Sequence, residues 1–146
     1  MTVEIRPFRE EDLGSVLELA NSHASFDGRT SEADLAITTS FPRGFWVAEA
    51  NGELVGFAYG YLKDVPEEVL ARWRATKVGY VALMAVAPSH RGGGIGGSLL
   101  AKVLEELKIA GADMVLLDCP AEAADAKRLY EAKGFEARFY GMKRRL

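Results

Sequence analysis

Five glycines, at 92, 93, 94, 96 and 97, crowd between an apolar run and an amphipathic stretch, and they constrain this chain more than anything else in it. Residues 80–88 are apolar or small on both alternating faces, which suits a strand covered on both sides. Pro88 cannot extend a ladder, so the strand is predicted to stop there. Beyond the glycines, Leu99, Leu100, Val103, Leu104 and Leu107 recur at helical spacing as one apolar stripe. Gly111 then suits the left-handed residue that closes a helix. A strand feeding a helix through glycines has a physical consequence. Without Cβ atoms, the amides of residues 92–97 can approach a ligand closely and point at it. The first helical turn adds unpaired N–H donors and the positive end of the dipole. Such a terminus binds phosphate, and Arg91 adds a charged fork beside it. The competing view, a plain surface turn, does not explain so many glycines next to an arginine.

Three anion-binding patterns compete. The nucleotide phosphate loop needs Gly-Lys-Ser/Thr at its end; here Gly97 is followed directly by Ser98, so that pattern fails. The dinucleotide fingerprint GxGxxG fits Gly92, Gly94 and Gly97, with Asp118 about twenty residues on. Against it, residues 88–91 separate strand from glycines, and only one strand–helix–strand unit is present.

The third pattern fits best. Arg91-x-x-Gly94-x-Gly96, after a strand ending Val86-x-Pro88, resembles the coenzyme A pyrophosphate motif of the GNAT superfamily of N-acetyltransferases. Ala126-Lys127-Arg128-Leu129-Tyr130-Glu131-Ala132-Lys133-Gly134-Phe135 resembles the family's second motif, with its lysine shifted, and residues 140–146 are similar to its last strand. The resemblance spans essentially the whole chain.

The remaining chain supplies matching elements. Val3 and Ile5 alternate with polar residues in a first strand over residues 3–8. Acids at 10–12 precede a helix carrying Leu13, Val16, Leu17 and Ala20, and Ser31-x-x-Asp34 resembles a capping box for a short helix reaching about Thr39. Residues 45–50, Asn51–Gly52 and residues 53–62 read as a hairpin. Residues 64–77 make a long connection with helical propensity after Pro66. Residues 113–118 read as a strand parallel to the central one, residues 125–133 as a helix, and residues 135–140 and 142–146 as closing edge strands. The fold class is therefore α/β. It combines a mixed, mostly antiparallel sheet with one parallel pair, and the resemblance implies that this pair splays apart and that four helices flank the sheet.

The resemblance also implies chemistry. The backbone of Met84, Ala85 and Val86 would bind the pantetheine arm in the manner of an added strand. Arg91, Gly92, Gly93, Gly94, Ile95, Gly96, Gly97 and Ser98 would hold the pyrophosphate. Acetyl transfer is then direct attack of an amine through a tetrahedral oxyanion, with reacting atoms brought within about 3–3.5 Å. A backbone N–H near Val86 is the expected oxyanion donor. Tyr130 matches the tyrosine that protonates the departing thiolate; a phenol near pKa 10 suits a thiol near about 8.5. The alternative is that Tyr130 simply packs with Leu129 and Phe135. The family's strand glutamate falls here on Ala82 and Leu83, which cannot serve as bases. Glu49 is the first candidate instead, on the expectation that its strand runs beside the central one, followed by Asp118, Asp27 or a water chain. The asparagine often found seven residues before the tyrosine is Ala123 here, with Asp125 a substitute only in a shifted loop. Phe26, Trp46, Tyr59 and Trp73, with Asp27 and Glu49, are candidates to line the amine site.

At 146 residues and 49% hydrophobic, the chain reads as one domain over residues 1–146. Its net charge of −3 disfavours nucleic acid as a partner. One cysteine excludes an internal disulfide and fits a reducing compartment, and Cys119 reads as an apolar filler. No apolar run suits a signal or a membrane span, so a cytoplasmic location is expected. His23 and His90 have no zinc-ligand spacing, so no metal is expected. The basic residues 143–145 read as a solvated, edge-protecting strand end. The function implied is an acetyl-CoA-dependent N-acetyltransferase (an acyltransferase) acting on a primary amine of a small molecule or peptide, with room for a homodimer. The alternatives are a non-catalytic acyl-CoA-binding sensor or interaction module and, third, a nicotinamide or flavin dinucleotide protein.

Overall fold

The computed structural model describes residues 2–23 and 41–146. The expected capping box at Ser31 and Asp34, the helix it would start, and the loop with Phe26 and Asp27 lie outside the described residues. Five strands make one sheet in the spatial order of the chain: β1 (Val3–Pro7), β2 (Phe45–Ala50), β3 (Glu53–Lys63), β4 (Val78–Val86) and β5 (Met114–Leu117). Neighbours from β1 to β4 are antiparallel, and β4 and β5 are parallel. Four α-helices accompany it among the described residues: α1 (Leu13–His23), α2 (Glu67–Trp73), α3 (Ile95–Ile109) and α4 (Ala124–Ala132). This is the mixed α/β architecture expected.

Local chemistry explains the elements. Asn51 and Gly52 turn the β2–β3 hairpin with φ of 53° and 78°, the paired left-handed geometry that matches strand twist. The apolar stripe of α3 places Leu99, Leu100, Val103 and Leu107 against Ala48, Val55, Ala58 and Val81 on one face of the sheet. On the other face, Val16, Leu19 and Ala20 of α1 meet Phe45, Val47, Phe57, Tyr59 and Ala85. The central strand is thus covered on both sides, which is why its sequence is apolar in both registers. The starts of β4 and β5 are tied by Asp113, whose carboxylate accepts the Thr76 amide at 3.0 Å and the Lys77 amide at 3.1 Å.

A single extra residue shapes β4. Its pairing with β3 jumps from Tyr59–Leu83 to Gly60–Val81, so Ala82 has no partner and forms a bulge. A bulge bends its strand and sharpens its twist. The parallel pairing with β5 ends at Val81–Leu117, at that same point. Beyond it, residues 83–86 stay paired with β3 on one side and leave β5 on the other.

Two expectations are corrected. Residues 135–140 and 142–146 form no strand, and the sheet ends at β5. A strand exists only through a ladder neighbour, and no backbone hydrogen bond joins residues 136–146 to the other described residues. The strand carrying Glu49 does not run beside the central strand: β3 lies between β2 and β4.

Candidate active site

The glycine turn begins where β4 ends. The Ala87 amide makes the last bond to β3, donating to the Val55 carbonyl at 2.8 Å. One tight turn follows (Pro88–His90), and the Arg91 side chain reaches back so that Nε donates to the Val86 carbonyl at 2.9 Å. Arg91 therefore braces the turn against the strand it leaves. Gly92 and Gly94 take φ of +83° and +86°, a region that side chains disfavour. Gly94 is the N-cap of α3, and no side chain caps the helix. The first helical bond runs from the Ser98 amide to the Gly94 carbonyl, at 3.0 Å, so the amides of Ile95, Gly96 and Gly97 precede the ladder. Fifteen residues of aligned peptide dipole stand behind them.

This cradle opens into a groove of about 500 Å³. One wall is the turn itself, with His90, Arg91, Gly93, Gly94 and Ser98; the opposite wall is Val3 and Ile5 of β1. The sequence marks those two only as first-strand residues, because nothing local links β1 to the turn. Gly96 also serves packing, since a Cβ there would sit 3.3 Å from Leu129 Cδ2 of α4 and 3.8 Å from Val86. Its bareness lets α4 dock on the start of α3. An uncapped helix end, an arginine fork and two left-handed glycines fit a diphosphate.

Tyr130 reaches the same region from α4. It packs against the α3-side core and meets the Phe135 ring edge-on with centroids 6.0 Å apart. Burial pushes the phenol above its ordinary value, with the Cys119 thiol a lesser contributor. Burial likewise pushes the Cys119 thiol up, and its Sγ donates to the Pro120 carbonyl at 3.6 Å, so it stays protonated and weakly nucleophilic. Ala123 is the N-cap of α4 and gives it no side-chain cap. Asp125 does not replace the missing asparagine; its exposed carboxylate pairs with Arg128.

Glu49 is engaged elsewhere. It accepts a bond from Arg6 Nε at 3.4 Å, and Arg6 also grips Asp12 through two nitrogens at 2.8 and 2.9 Å. Among the other residues expected to line an amine site, Tyr59 is 2% exposed and belongs to the α1-side core. Trp46 donates to the Arg43 carbonyl and packs on the α3 side under Lys102, while Trp73 lies beneath the Arg138 guanidinium.

The carboxylate that does stand at the parting strands is Asp118, one residue past the last rung of the parallel pair. It accepts a 2.7 Å hydrogen bond from the Tyr80 hydroxyl. Tyr80 meets Tyr61 edge-on at 5.7 Å, Tyr61 stacks near Tyr59, and the Lys63 ammonium lies 4.9 Å from the Tyr80 ring centre. Tyr80 and Asp118 thus occupy the α1 side of the opening, and Tyr130 the α3 side. Tyr80 carries no signal in the sequence because it looks like one more apolar residue of a buried strand. Among the described residues no His, Cys, Asp and Glu cluster could hold a metal, and no helix is long and apolar enough to cross a membrane.

Known proteins share this fold. The family model described as "Acetyltransferase (GNAT) family" matches residues 13–135. A mycothiol acetyltransferase of Sanguibacter keddieii is 32% identical over 142 residues, which cover 91% of this chain and 43% of that one. Among solved structures, the NatC complex bound to Gag peptide and CoA superimposes with a TM-score of 0.83 at 20% identity, covering 95% of this chain and 87% of its own. The complex of AAC(6')-Iy with a bisubstrate analog has a TM-score of 0.75 at 22% identity and covers all of both chains. The chain spans less than half the length of the curated relatives it matches.

Proposed function

Since the chain belongs to the acetyltransferase (GNAT) family, we propose that it transfers an acetyl group from acetyl-CoA to a primary amine of a small molecule or peptide. The observation that carries this reading is the uncapped start of α3, with Gly92 and Gly94 in left-handed conformations, at the mouth of the parted β4 and β5. The amides of residues 92–97, Ser98 and the Arg91 guanidinium neutralise the diphosphate. The backbone of Met84, Ala85 and Val86, released from β5 by the bulge at Ala82, offers a free strand edge to the pantetheine arm. Acetyl-CoA supplies an activated thioester, so the protein needs only to align it, accept one proton and return one.

Residues on the two faces divide the proton transfers. On the α3 side, the Tyr130 phenol, kept protonated by burial, is the donor to the leaving sulfur. On the α1 side, Asp118 receives the incoming ammonium and takes its proton, held in place by the Tyr80 hydroxyl. Asp118 replaces Glu49 in this role because Glu49 stands beyond β3 and is bound by Arg6. The second reading, an acyl-CoA sensor without turnover, draws on Ala82 at the bulge and Ala123 at the cap, where the family's usual polar groups are missing. A thiol-release assay with acetyl-CoA across an amine panel separates the two. Amine-dependent release supports transfer; tight binding of acetyl-CoA that stays intact with every amine supports the sensor.

A further inference from the structure

The α1 side of the opening carries two opposite charges, and a single tyrosine holds them apart. Tyr61 and Lys63 alternate along β3 and so share one face of the sheet. Tyr80 is the cross-strand partner of Tyr61 on β4, and the two half-buried rings meet edge-on at 5.7 Å. The Lys63 ammonium stands 4.9 Å from the centre of the Tyr80 ring. At the tip of the same ring, the Asp118 carboxylate accepts the hydroxyl at 2.7 Å. Lys63 and Asp118 are both exposed, and neither forms an ion pair with the other or with any other described residue.

Their positions on the strands give this face a direction. Asp118 follows Leu117, in the last rung before β4 and β5 part. Lys63 pairs with Val78, which lies in the rung at the opposite end of that ladder. A ligand lying along Tyr80 therefore presents one end to a carboxylate at the mouth and the other to an ammonium behind it. The Lys63 side chain already rests on the ring, so it loses little freedom when it binds an anion. The aromatic floor of Tyr61 and Tyr80 suits a short carbon chain between the two ends. A second positive charge on the ligand, as in a diamine, meets Lys63 as a like charge and is disfavoured.

We infer that the acceptor amine also carries a carboxylate, so that the substrate class is amino acids. The ammonium sits at Asp118, the carboxylate at Lys63, and Tyr80 lies beneath the carbons between them. Lys63 is a specificity residue here and takes no part in the proton transfers. The inference rests on the proposed role of Asp118 as receiver of the amine, and it narrows that reading from primary amines at large to zwitterionic ones.

The experiment reads binding and turnover separately. Calorimetry on the full chain saturated with coenzyme A compares glycine, β-alanine and γ-aminobutyrate, each with its own primary amide, and a propane diamine. The amide keeps the amine and the shape and removes the negative charge. At least one acid is expected to bind about five- to tenfold more tightly than its amide, the range for one charge pair that water still reaches. In Lys63→Met, which keeps an apolar stem on the ring, that preference should vanish. Lys63→Arg should retain it, and Lys63→Glu should reverse the order and place the diamine first. Comparing the same ratio between proteins cancels the different basicities of acid and amide. Thiol release from acetyl-CoA then reads the same pairs, and the preference should lie in KM rather than kcat.

A Lys63-dependent preference for the acids without any thiol release sinks the transfer reading and supports this one. Thiol release at equal kcat/KM for acid and amide supports transfer and overturns this one. So does a preference that survives Lys63→Met in a protein of unchanged melting temperature. If no acid binds more tightly than its amide, Lys63 only covers the Tyr80 ring and the inference falls.

Discussion

The Tyr80 hydroxyl and the Asp118 carboxylate are joined by a 2.7 Å hydrogen bond across the point where β4 and β5 separate. Burial, then the bond to Asp118, raises the Tyr80 phenol well above its ordinary value, so it remains a donor throughout the range in which an amine is acetylated. The bond fixes a carboxylate that is otherwise exposed, at the mouth where an ammonium would arrive.

Asp118→Asn should therefore lower kcat/KM by about a hundredfold, the range for removing a general base, while leaving coenzyme A affinity within about twofold. Tyr80→Phe keeps the ring packing and removes only the hydrogen bond; a fall of about tenfold is expected, consistent with one hydrogen bond to a charged group. Steady-state kinetics with a cationic amine, alongside calorimetry for coenzyme A, reads both. Full activity in Asp118→Asn would remove it from the mechanism.

Gly94 and Gly96 should fail differently. At Gly94, φ of +86° penalises any side chain although the surrounding space is open, so Gly94→Val should distort the anion cradle and weaken coenzyme A binding about tenfold or more. At Gly96 the backbone is ordinary, but a Cβ meets Leu129 at 3.3 Å. Gly96→Ala should displace α4, and Tyr130 with it, lowering kcat more than affinity. Calorimetric Kd values and kcat for the two variants test this; equal effects on binding would merge the two roles.

What the sequence disclosed follows the reach of each interaction. The Asn51–Gly52 turn, the stripe of α3 and the glycine turn are settled within a few residues, and they stand where their spacing placed them. Glu49 is different, because its relation to β4 depends on which strand inserts between them, and no local pattern of β2 encodes that. The bulge at Ala82 leaves no mark either, since alanine is ordinary in an apolar run. Residues 142–146 do carry strand periodicity, but a strand needs a neighbour, and none of the described strands pairs with them. Tyr80 and Asp118 are 38 residues apart, and only the parallel crossover unites them.

Acid should unfold the protein through Asp12 and Asp113. Asp12 is 7% exposed and held by Arg6, whose hydrogen bonds lower its carboxyl below the ordinary value near 3.8. A depressed folded pKa means the stabilisation is complete above that ordinary value and disappears as pH falls through the folded one. Asp113 follows the same sign through the Lys77 and Thr76 amides. Asp12→Asn leaves the buried Arg6 charge with only its longer, 3.4 Å contact to half-buried Glu49, and should cost about 3 kcal/mol at neutral pH while flattening the acid limb. Urea melts from pH 7 down to pH 2 provide the test, and parallel acid limbs in the two proteins would exclude Asp12 as the sensitive group.

Tyr130 gives the most discriminating prediction because its two roles leave different traces. As packing, the ring contributes its contact with Phe135 and the α3-side core, all of which phenylalanine retains. As a proton donor, it needs the hydroxyl. Tyr130→Phe should therefore keep the melting temperature and the coenzyme A affinity while kcat falls roughly a hundredfold. The pH profile adds a second readout. Burial raises the phenol above its ordinary 10.0, so the protonated, active form persists through that value and the alkaline decline of kcat should begin only above it. In Tyr130→Phe that decline should vanish, since no titrating donor remains. A variant with unchanged kcat and an unchanged alkaline limb would leave Tyr130 only the packing role, and the leaving sulfur would have to take its proton from solvent.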